Sequence, residues 1–283
     1  MRIVNLRLED KIVEKLDEIS SKFLISRSEL IRQAIVMYLS ALENLGFYFK
    51  PSVIAPKLDI YEERNSISID FGNFTSLSIL SFSYAGAGEK EGDKIRISLK
   101  RVAEILANQV KVECLTRFVE PFVGLLSTGN DIEYSLKFLR SLRNLLNFRV
   151  LLASSESVIE TGESFFSLSV VGMRDMKVRN SPKRGEKIFM YGKILKEKEL
   201  IDENGIDVKL VERLAEIVKS GKASSIFPVK SEGLLQTCSM VSSLAGGRLV
   251  MKVKDERGCP ATAVLVTAED MPLSGGVEVG EII

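Results

Sequence analysis

Histidine and tryptophan are absent from this sequence, and cysteine is scarce. Because the chain has no imidazole, His-based catalytic triads and imidazole metal sites are excluded. Its three cysteines, Cys114, Cys238 and Cys259, lie far apart without C-x-x-C spacing, which is typical of free thiols in a reducing cytosol. A site of cysteine and carboxylate ligands stays open, but no spacing favours it, so the sequence predicts no metal site.

A strong net charge and long apolar runs are also lacking. The formal net charge is +1, and residues 1–45 carry seven Lys or Arg against seven Asp or Glu. This balance argues against a general electrostatic attraction to nucleic acid. Binding would therefore rely on a few specific contacts. We see no signal peptide and no apolar run long enough to cross a bilayer, and therefore expect a cytoplasmic protein without a membrane partner.

The first residues carry the pattern of a short strand. In RIVNLRL, residues 2–8, apolar side chains alternate with Ile3, Asn5 and Arg7, the period of a strand with one buried face. A lone strand is not stable in water, and the next stretch is helical. The economical partner is the same strand of a second subunit, paired antiparallel about a two-fold axis.

Two amphipathic helices follow this strand. Asp10 is predicted to cap the first, in which apolar residues recur at helical spacing up to Phe23. Ser26 and Glu29 have the spacing of a capping box, which opens a second helix with a broad apolar face ending at Leu42. A strand and two helices are too small to bury a core alone, which favours an intertwined dimer.

The stretch from Arg2 to Leu42 resembles the ribbon-helix-helix family of DNA-binding proteins. The resemblance rests on the order of strand, polar cap, helix, short turn and S-x-S-E at the start of the second helix. Leu24 departs from the pattern, because the family usually has a glycine there to leave the helix in a left-handed conformation.

By this resemblance, the ribbon enters the major groove of double-stranded DNA. Arg7 would pair with a guanine, Asn5 with an adenine, and Ile3 would contact a thymine methyl. The alternative is a dimerisation ribbon that never meets DNA. Backbone amides and side chains at the start of the second helix would hold a phosphate, at Ser26, Arg27 and Ser28.

Turn-forming residues after the second helix mark a domain boundary, with Gly46, Pro51 and Pro56 close together. Beyond it, strands occur in adjacent runs between helices, which favours an α+β domain over a doubly wound sheet. The predicted organisation is a DNA-binding domain over 1–45, a linker over 46–56, and two halves of a larger domain over 57–180 and 181–283.

Periodicity also predicts individual elements of this larger domain. We expect paired strands over 66–70 and 77–84, then a helix over 99–110 followed by a strand over 112–118. Further along, a strand over 149–154 is expected to pair with one over 164–171.

The second half of this domain resembles the aminoimidazole ribonucleotide synthetase superfamily, which includes selenophosphate synthetase. The resemblance rests on R-G-E-K-I-F-M-Y-G over 184–192, a helix, and S-E-G-L-L-Q-T-C-S-M-V over 231–241. Glu186 stands where the family has aspartate. Val229–Leu235 matches the family's helix-start element only partly, because Lys230 and Glu232 break its pattern. The resemblance implies a synthetase-like fold from about residue 56 to the end.

Enzymes of that superfamily bind ATP and magnesium through aspartates and a glycine-rich segment in the amino-terminal half. At the corresponding places this chain has Ser83–Gly86 and Ala107–Gln109. Phosphoryl transfer needs carboxylates to hold the metal, so we expect no enzyme and no bound cofactor. A nucleotide or another small molecule stays open as an effector.

The resulting hypothesis is a sequence-specific, dimeric transcriptional regulator, acting as a repressor, whose larger domain pairs subunits and senses a small molecule. Stacking of dimers into tetramers stays open. The rival hypothesis is an ATP-dependent enzyme with a DNA-binding arm, for which Asp70 and Asp93 are the best carboxylates. A third is a purely architectural DNA protein, which would bind without sequence preference.

Overall fold

The computed structural model describes residues 7–23, 25–45, 59–63, 66–70, 75–155, 161–175 and 177–283. Its contacts divide the chain into two compact units. The amino-terminal unit extends to Asp59 and takes in Asp70, and the larger unit, here called the body, contains Ile60–Ile69 and Thr75–Ile283.

The amino-terminal unit contains the two expected helices, α1 (Asp10–Phe23) and α2 (Arg27–Leu45). Most of the predicted strand over 2–8 lies outside the described residues. None of the fourteen residues of α1 is buried within the chain. Large apolar side chains at Phe23, Ile35 and Val36 remain 46 to 59% exposed. One copy of these helices therefore leaves its apolar face uncovered.

The first half of the body is a six-stranded mixed sheet with helices against one face. In chain order its strands are β1 (Asp59–Glu63), β2 (Ser66–Asp70), β3 (Thr75–Ala85), β6 (Val119–Thr128), β7 (Arg149–Ser154) and β8 (Phe165–Asp175), arranged β1-β2-β3-β8-β6-β7. A short parallel pair, β4 (Ala87–Gly88) and β5 (Ile95–Arg96), precedes helices α3 (Leu99–Thr116) and α4 (Ile132–Leu145).

Apolar and polar side chains alternate along the strands, and the helices cover the face that carries the apolar side chains. Phe82 and Phe166 point to the helices and pack with Phe138 of α4, whose ring lies 3.8 Å from that of Phe166. Serines such as Ser83 and Ser167 lie on the opposite face, where their hydroxyl oxygens are 3.4 Å apart. Side chains of β3 and β8 thus alternate between the two faces of the sheet, as in any strand.

The second half is a five-stranded antiparallel sheet between two helical layers. Its strands are β9 (Lys187–Gly192), β10 (Ser225–Pro228), β11 (Leu249–Met251), β12 (Ala263–Ala268) and β13 (Val277–Ile282), arranged β10-β12-β9-β13-β11. Helices α6 (Val208–Lys219) and α7 (Leu234–Leu244) contribute to opposite cores, and α5 (Glu199–Asp202) is a single turn. All six residues of β12 are buried, as expected of a strand covered on both faces.

The two halves of the body share a core. Val112 and Phe118 from the first half pack in the same buried cluster as Val211 and Leu214 of α6. The α+β class and the paired strands over 66–70 and 77–84 are confirmed, since β2 and β3 are neighbours in the sheet.

The predicted strand over 112–118 is wrong, because α3 continues to Thr116. The helix ends where Phe118 takes a left-handed φ of 57°, a conformation that glycine would have signalled in the sequence. The strand that follows, β6, was not predicted. Pro121 interrupts its pattern, and the register shifts between Pro121 and Val123.

The expected pairing of the strands over 149–154 and 164–171 is also wrong. Both strands exist, as β7 and β8, but β6 lies between them. β6 pairs in parallel with β7 and antiparallel with β8. The order of a sheet depends on contacts between distant segments, which local periodicity does not carry.

The opposite orientations of Phe165 and Phe166 in β8 give a matched test of this core. Phe166 is fully buried, whereas Phe165 is 39% exposed. Phe166→Ala is expected to lower the free energy of unfolding by about 3–5 kcal/mol, because it leaves a cavity beside Phe138. Phe165→Ala should cost less than about 1 kcal/mol. Urea denaturation of both variants measures the difference, and equal losses would contradict the strand orientation.

Candidate nucleic-acid interface and ligand pocket

Ser26 lies at the start of α2, where the sequence predicts both a helix cap and a phosphate contact. The Ser26 hydroxyl accepts a hydrogen bond from the Glu29 amide at 3.2 Å, and the Ser26 carbonyl accepts from the Glu29 and Leu30 amides at 3.0 Å. Ser26 is therefore the N-cap, as expected. Arg27 and Ser28 follow it and are exposed, so the three predicted residues lie together at the positive end of the helix.

The second half of the predicted capping box differs from expectation. The Glu29 carboxylate accepts from Arg32 at 2.5 Å and from Gln33 at 3.3 Å, both further along α2. Arg27 forms an ion pair with Asp17 of α1. Both side chains of that pair are about half exposed, so the pair contributes little to stability and leaves Arg27 able to change partner.

Of the predicted base-contacting residues, the structure describes Arg7. Arg7 is exposed and precedes α1, whereas Ile3 and Asn5 lie outside the described residues, as does Leu24. The assignment of Ile3, Asn5 and Arg7 to base contacts therefore stays a prediction.

The body holds a pocket of about 400 Å³ that sequence reasoning missed; we call it the polar pocket. Phe227, Met240 and Leu244 give it an apolar side. Polar and charged groups from both halves of the body line the rest, among them Thr116, Arg117, Arg174, Asn180, Lys230 and Thr237.

A buried carboxylate organises the charged side of the polar pocket. Glu113, 1% exposed, accepts hydrogen bonds at both oxygens from Lys230 Nζ, at 2.9 and 3.1 Å, and at Oε2 from Arg117 Nε at 3.1 Å. Arg117 also donates to the Ser66 hydroxyl at 2.8 Å. Since Glu113 and Lys230 belong to different halves, their ion pair joins the halves. A charged side chain that is buried away from water requires oppositely charged partners that hydrogen-bond to it.

Two guanidinium groups lie close together at this site. Burial, and then repulsion from neighbouring Arg174, lower the pKa of Arg117 to about 10. Burial also lowers the pKa of Arg174. Bringing buried cations together is costly, and such crowding is frequent where a site binds ligands.

Asn180 has a structural role beside the pocket. Its amide nitrogen donates to the carbonyls of Thr116, at 3.1 Å, and Ile226, at 3.0 Å, and its amide oxygen accepts from the Ile226 amide at 2.7 Å. These bonds fasten the end of α3 to β10. The only signal in the sequence for this site was a glutamate within an apolar stretch of α3, at Glu113.

Asp93, one of the two carboxylates proposed for the enzymatic alternative, is engaged within the protein. Asp93 is buried, and its oxygens accept from the amides of Lys90 and Ser164 and from the Ser164 hydroxyl, at 2.7 to 2.8 Å. These hydrogen bonds hold the glycine-rich loop after β3 in place, so Asp93 has a structural role. Asp70 is the last residue of β2. Over the described ranges, no three His, Cys, Asp or Glu side chains are grouped to hold a metal ion. Asp93, with its oxygens engaged in this way, does not fit the magnesium site that the superfamily resemblance would imply.

The thiols are free, as the cysteine spacing predicted. Burial raises the pKa of Cys114 and Cys238 to about 12, which disfavours the nucleophilic thiolate. Within the part of the chain that the structure describes, no helix combines the length and apolarity needed to span a bilayer.

Residues 2–41 match the model of the ribbon-helix-helix protein family of the copG type. Among proteins of curated function, none matches the sequence significantly. The amino-terminal segment is thus of ribbon-helix-helix type.

Solved structures match the body in fold. Thiamine monophosphate kinase from Aquifex aeolicus has a TM-score of 0.52 at 13% identity, covering 74% of this chain and 86% of its own. The Stenotrophomonas maltophilia enzyme has a TM-score of 0.53 at 10% identity, covering 79% and 88%. Phosphoribosylformylglycinamidine synthase II from Thermotoga maritima has a TM-score of 0.51 at 16% identity. The match covers 77% of this chain but only 37% of the synthase.

These neighbours show that the body has the fold of the aminoimidazole ribonucleotide synthetase superfamily, as the sequence resemblance implied. At such low identities the similarity concerns the fold alone. It assigns neither an activity nor a substrate to this chain.

The ion pair of Glu113 with Lys230 can be tested by removing one charge. Lys230→Met keeps an apolar stem but leaves the buried carboxylate with one cation fewer, so we expect the free energy of unfolding to fall by about 3 kcal/mol. Lys219→Met breaks the exposed pair with Glu216 and should cost less than about 1 kcal/mol. Denaturation in urea compares the two variants, and equal effects would contradict a buried ion pair.

Proposed function

From an amino-terminal segment of ribbon-helix-helix type and a body with the synthetase fold, we propose that the protein is a sequence-specific transcriptional regulator, acting as a repressor. The observation that carries the proposal is the match of residues 2–41 to a family of DNA-binding proteins. The capped, exposed start of α2 supports it, because it offers backbone amides and the helix dipole to a phosphate.

The active form is a homodimer. The ribbon requires a second strand, and α1 and α2 leave Phe23, Ile35 and Val36 exposed in a single chain. Pairing two copies would remove these side chains from water, which is the main favourable term in association. The body contributes to pairing as well, and tetramers form if its contacts and those of the ribbon join different copies.

On DNA, each ribbon strand presents Ile3, Asn5 and Arg7 to base edges in the major groove. Ser26, Arg27 and Ser28 hold the flanking phosphate and fix the register of the ribbon. With a balanced charge over residues 1–45, these contacts provide specificity rather than general attraction.

The polar pocket is the site for a small-molecule effector, for which a nucleotide is one candidate. Its charged side can face polar groups of a ligand, while Phe227 and Met240 cover an apolar portion. Both halves of the body line the pocket. An effector would change DNA binding if it favoured one arrangement of the paired subunits over another.

The rival function is an ATP-dependent enzyme, which the fold permits. It is less favoured because Glu113 is engaged by Arg117 and Lys230, and Asp93 by amides and a hydroxyl. Incubation with ATP and magnesium separates the two functions: turnover of ATP would support the enzyme and contradict the effector role.

Operator binding tests the base contacts. Arg7→Ala should weaken binding to an operator selected from random duplexes by about 1–3 kcal/mol and relax the preference at one position, because the bidentate contact with guanine is lost. Lys22→Ala removes an exposed cation at the end of α1 and is the matched control, with unchanged base preference expected. Fluorescence anisotropy with operator and single-base variants measures both. An unchanged Arg7→Ala profile would refute the assignment.

The effector site can be tested by filling the polar pocket. If a nucleotide binds there, ATP, ADP or AMP should raise the thermal unfolding temperature of the wild-type protein, because a ligand stabilises the state that it binds. Met240→Trp should abolish this shift by occupying the pocket. Met271→Trp changes a similarly exposed methionine outside it and should keep the shift. A shift that survives Met240→Trp would place the ligand elsewhere.

A further inference from the structure

The body carries a second positively charged surface, separate from the polar pocket. It is an open groove of about 660 Å³ between the segment after β8 and the end of α6 with its following turn. We call it the basic groove. Its charged residues are Asp175, Lys177, Arg179, Lys183 and Lys219.

Hydrogen bonds fasten the two walls of the basic groove together. The Ser181 amide donates to the Ser224 carbonyl at 3.1 Å. Behind them, the buried Glu186 carboxylate accepts from the Lys183 amide at 2.9 Å and from the Ser224 hydroxyl. The backbone that carries the cations is therefore held in place, so their spacing is a property of the fold.

The charged residues that line the basic groove are mostly positive and are not matched by an equal number of carboxylates. Lys177, Arg179, Lys183 and Lys219 are all exposed, and Asp175 is the one carboxylate in the lining. Lys222, also exposed, lies on the same turn. The whole chain has a formal net charge of only +1, so this grouping is a local excess.

Interactions within the protein account for only part of this excess of positive charge. Lys219 lies in the last turn of α6, where a cation is favourable beside unpaired carbonyls, and it pairs with Glu216 at 2.6 Å. The other three cations of the lining belong to the segment before β9. Their clustering in a concave surface has an electrostatic cost that an anionic partner would relieve.

The placement of the cations in the groove favours an extended anion over a compact one. Its cations are exposed and come from both walls, and most are flexible lysines that suit a series of phosphates. We propose that the basic groove binds the phosphate backbone of duplex DNA that flanks the operator. This inference rests on the proposed function, because the ribbon must bring the DNA to the protein.

Such contacts would add affinity without sequence information. Phosphate contacts release counterions, so each one steepens the dependence of log K on log salt concentration by about 0.9. Because the body and the ribbon are parts of one chain, a weak contact would act at a high effective concentration once the ribbon is bound.

The experiment uses the full chain and two duplexes: the selected operator alone, and the same operator extended by random flanks. The groove variant is Lys177→Gln/Arg179→Gln/Lys183→Gln. The control, Lys193→Gln/Lys196→Gln/Lys198→Gln, removes the same charge from three exposed lysines outside the groove. Anisotropy across salt concentrations gives affinity and slope, and thermal unfolding checks that both variants fold.

The wild-type protein and the control should bind the extended duplex more tightly than the operator alone. The groove variant should lose this preference, with a salt slope on the extended duplex shallower by about 2 to 3 for each groove that contacts the DNA, and affinity lower by about tenfold or more. Equal behaviour of groove variant and control, or no wild-type preference for flanks, would overturn the groove proposal while leaving operator binding intact. A wild-type protein that binds neither duplex would refute the proposed function itself.

Discussion

The ion pair between buried Glu113 and Lys230 is the interaction on which the arrangement of the body depends. A carboxylate that is 1% exposed must be paired, and its partners Arg117 and Lys230 come from different halves of the body. This requirement fixes the end of α3 against the segment that precedes α7. The polar pocket opens along the same junction, so its walls are positioned by the pair that joins the halves.

The same pairing occupies the carboxylate of Glu113. Phosphoryl transfer with magnesium needs carboxylates that face a substrate. Here Glu113 faces two protein cations, and Asp93 is committed to a loop. A fold by itself does not fix a function, so the proposed regulator is compatible with the fold of the body.

Sequence reasoning predicted the features that depend on local physics. Ser26 was predicted as a cap from its capping-box spacing to Glu29, and α1 and α2 were predicted from the helical spacing of apolar residues. Sequence reasoning failed where contacts between distant segments determine the structure. The continuation of α3 and the insertion of β6 between β7 and β8 depend on packing, and the pocket around Glu113 joins residues more than a hundred positions apart.

The sequence by itself determined the ribbon-helix-helix character of the first residues, the free thiols and the α+β class, since periodicity, caps and composition act over short distances. Only the tertiary structure decided the strand order, the partners of Glu113 and the grouping of Lys177 and Lys183 with Lys219. Burial and charge proximity are properties of surfaces brought together by folding. The pattern of residues along the sequence does not show which charged side chains will lie close together after folding.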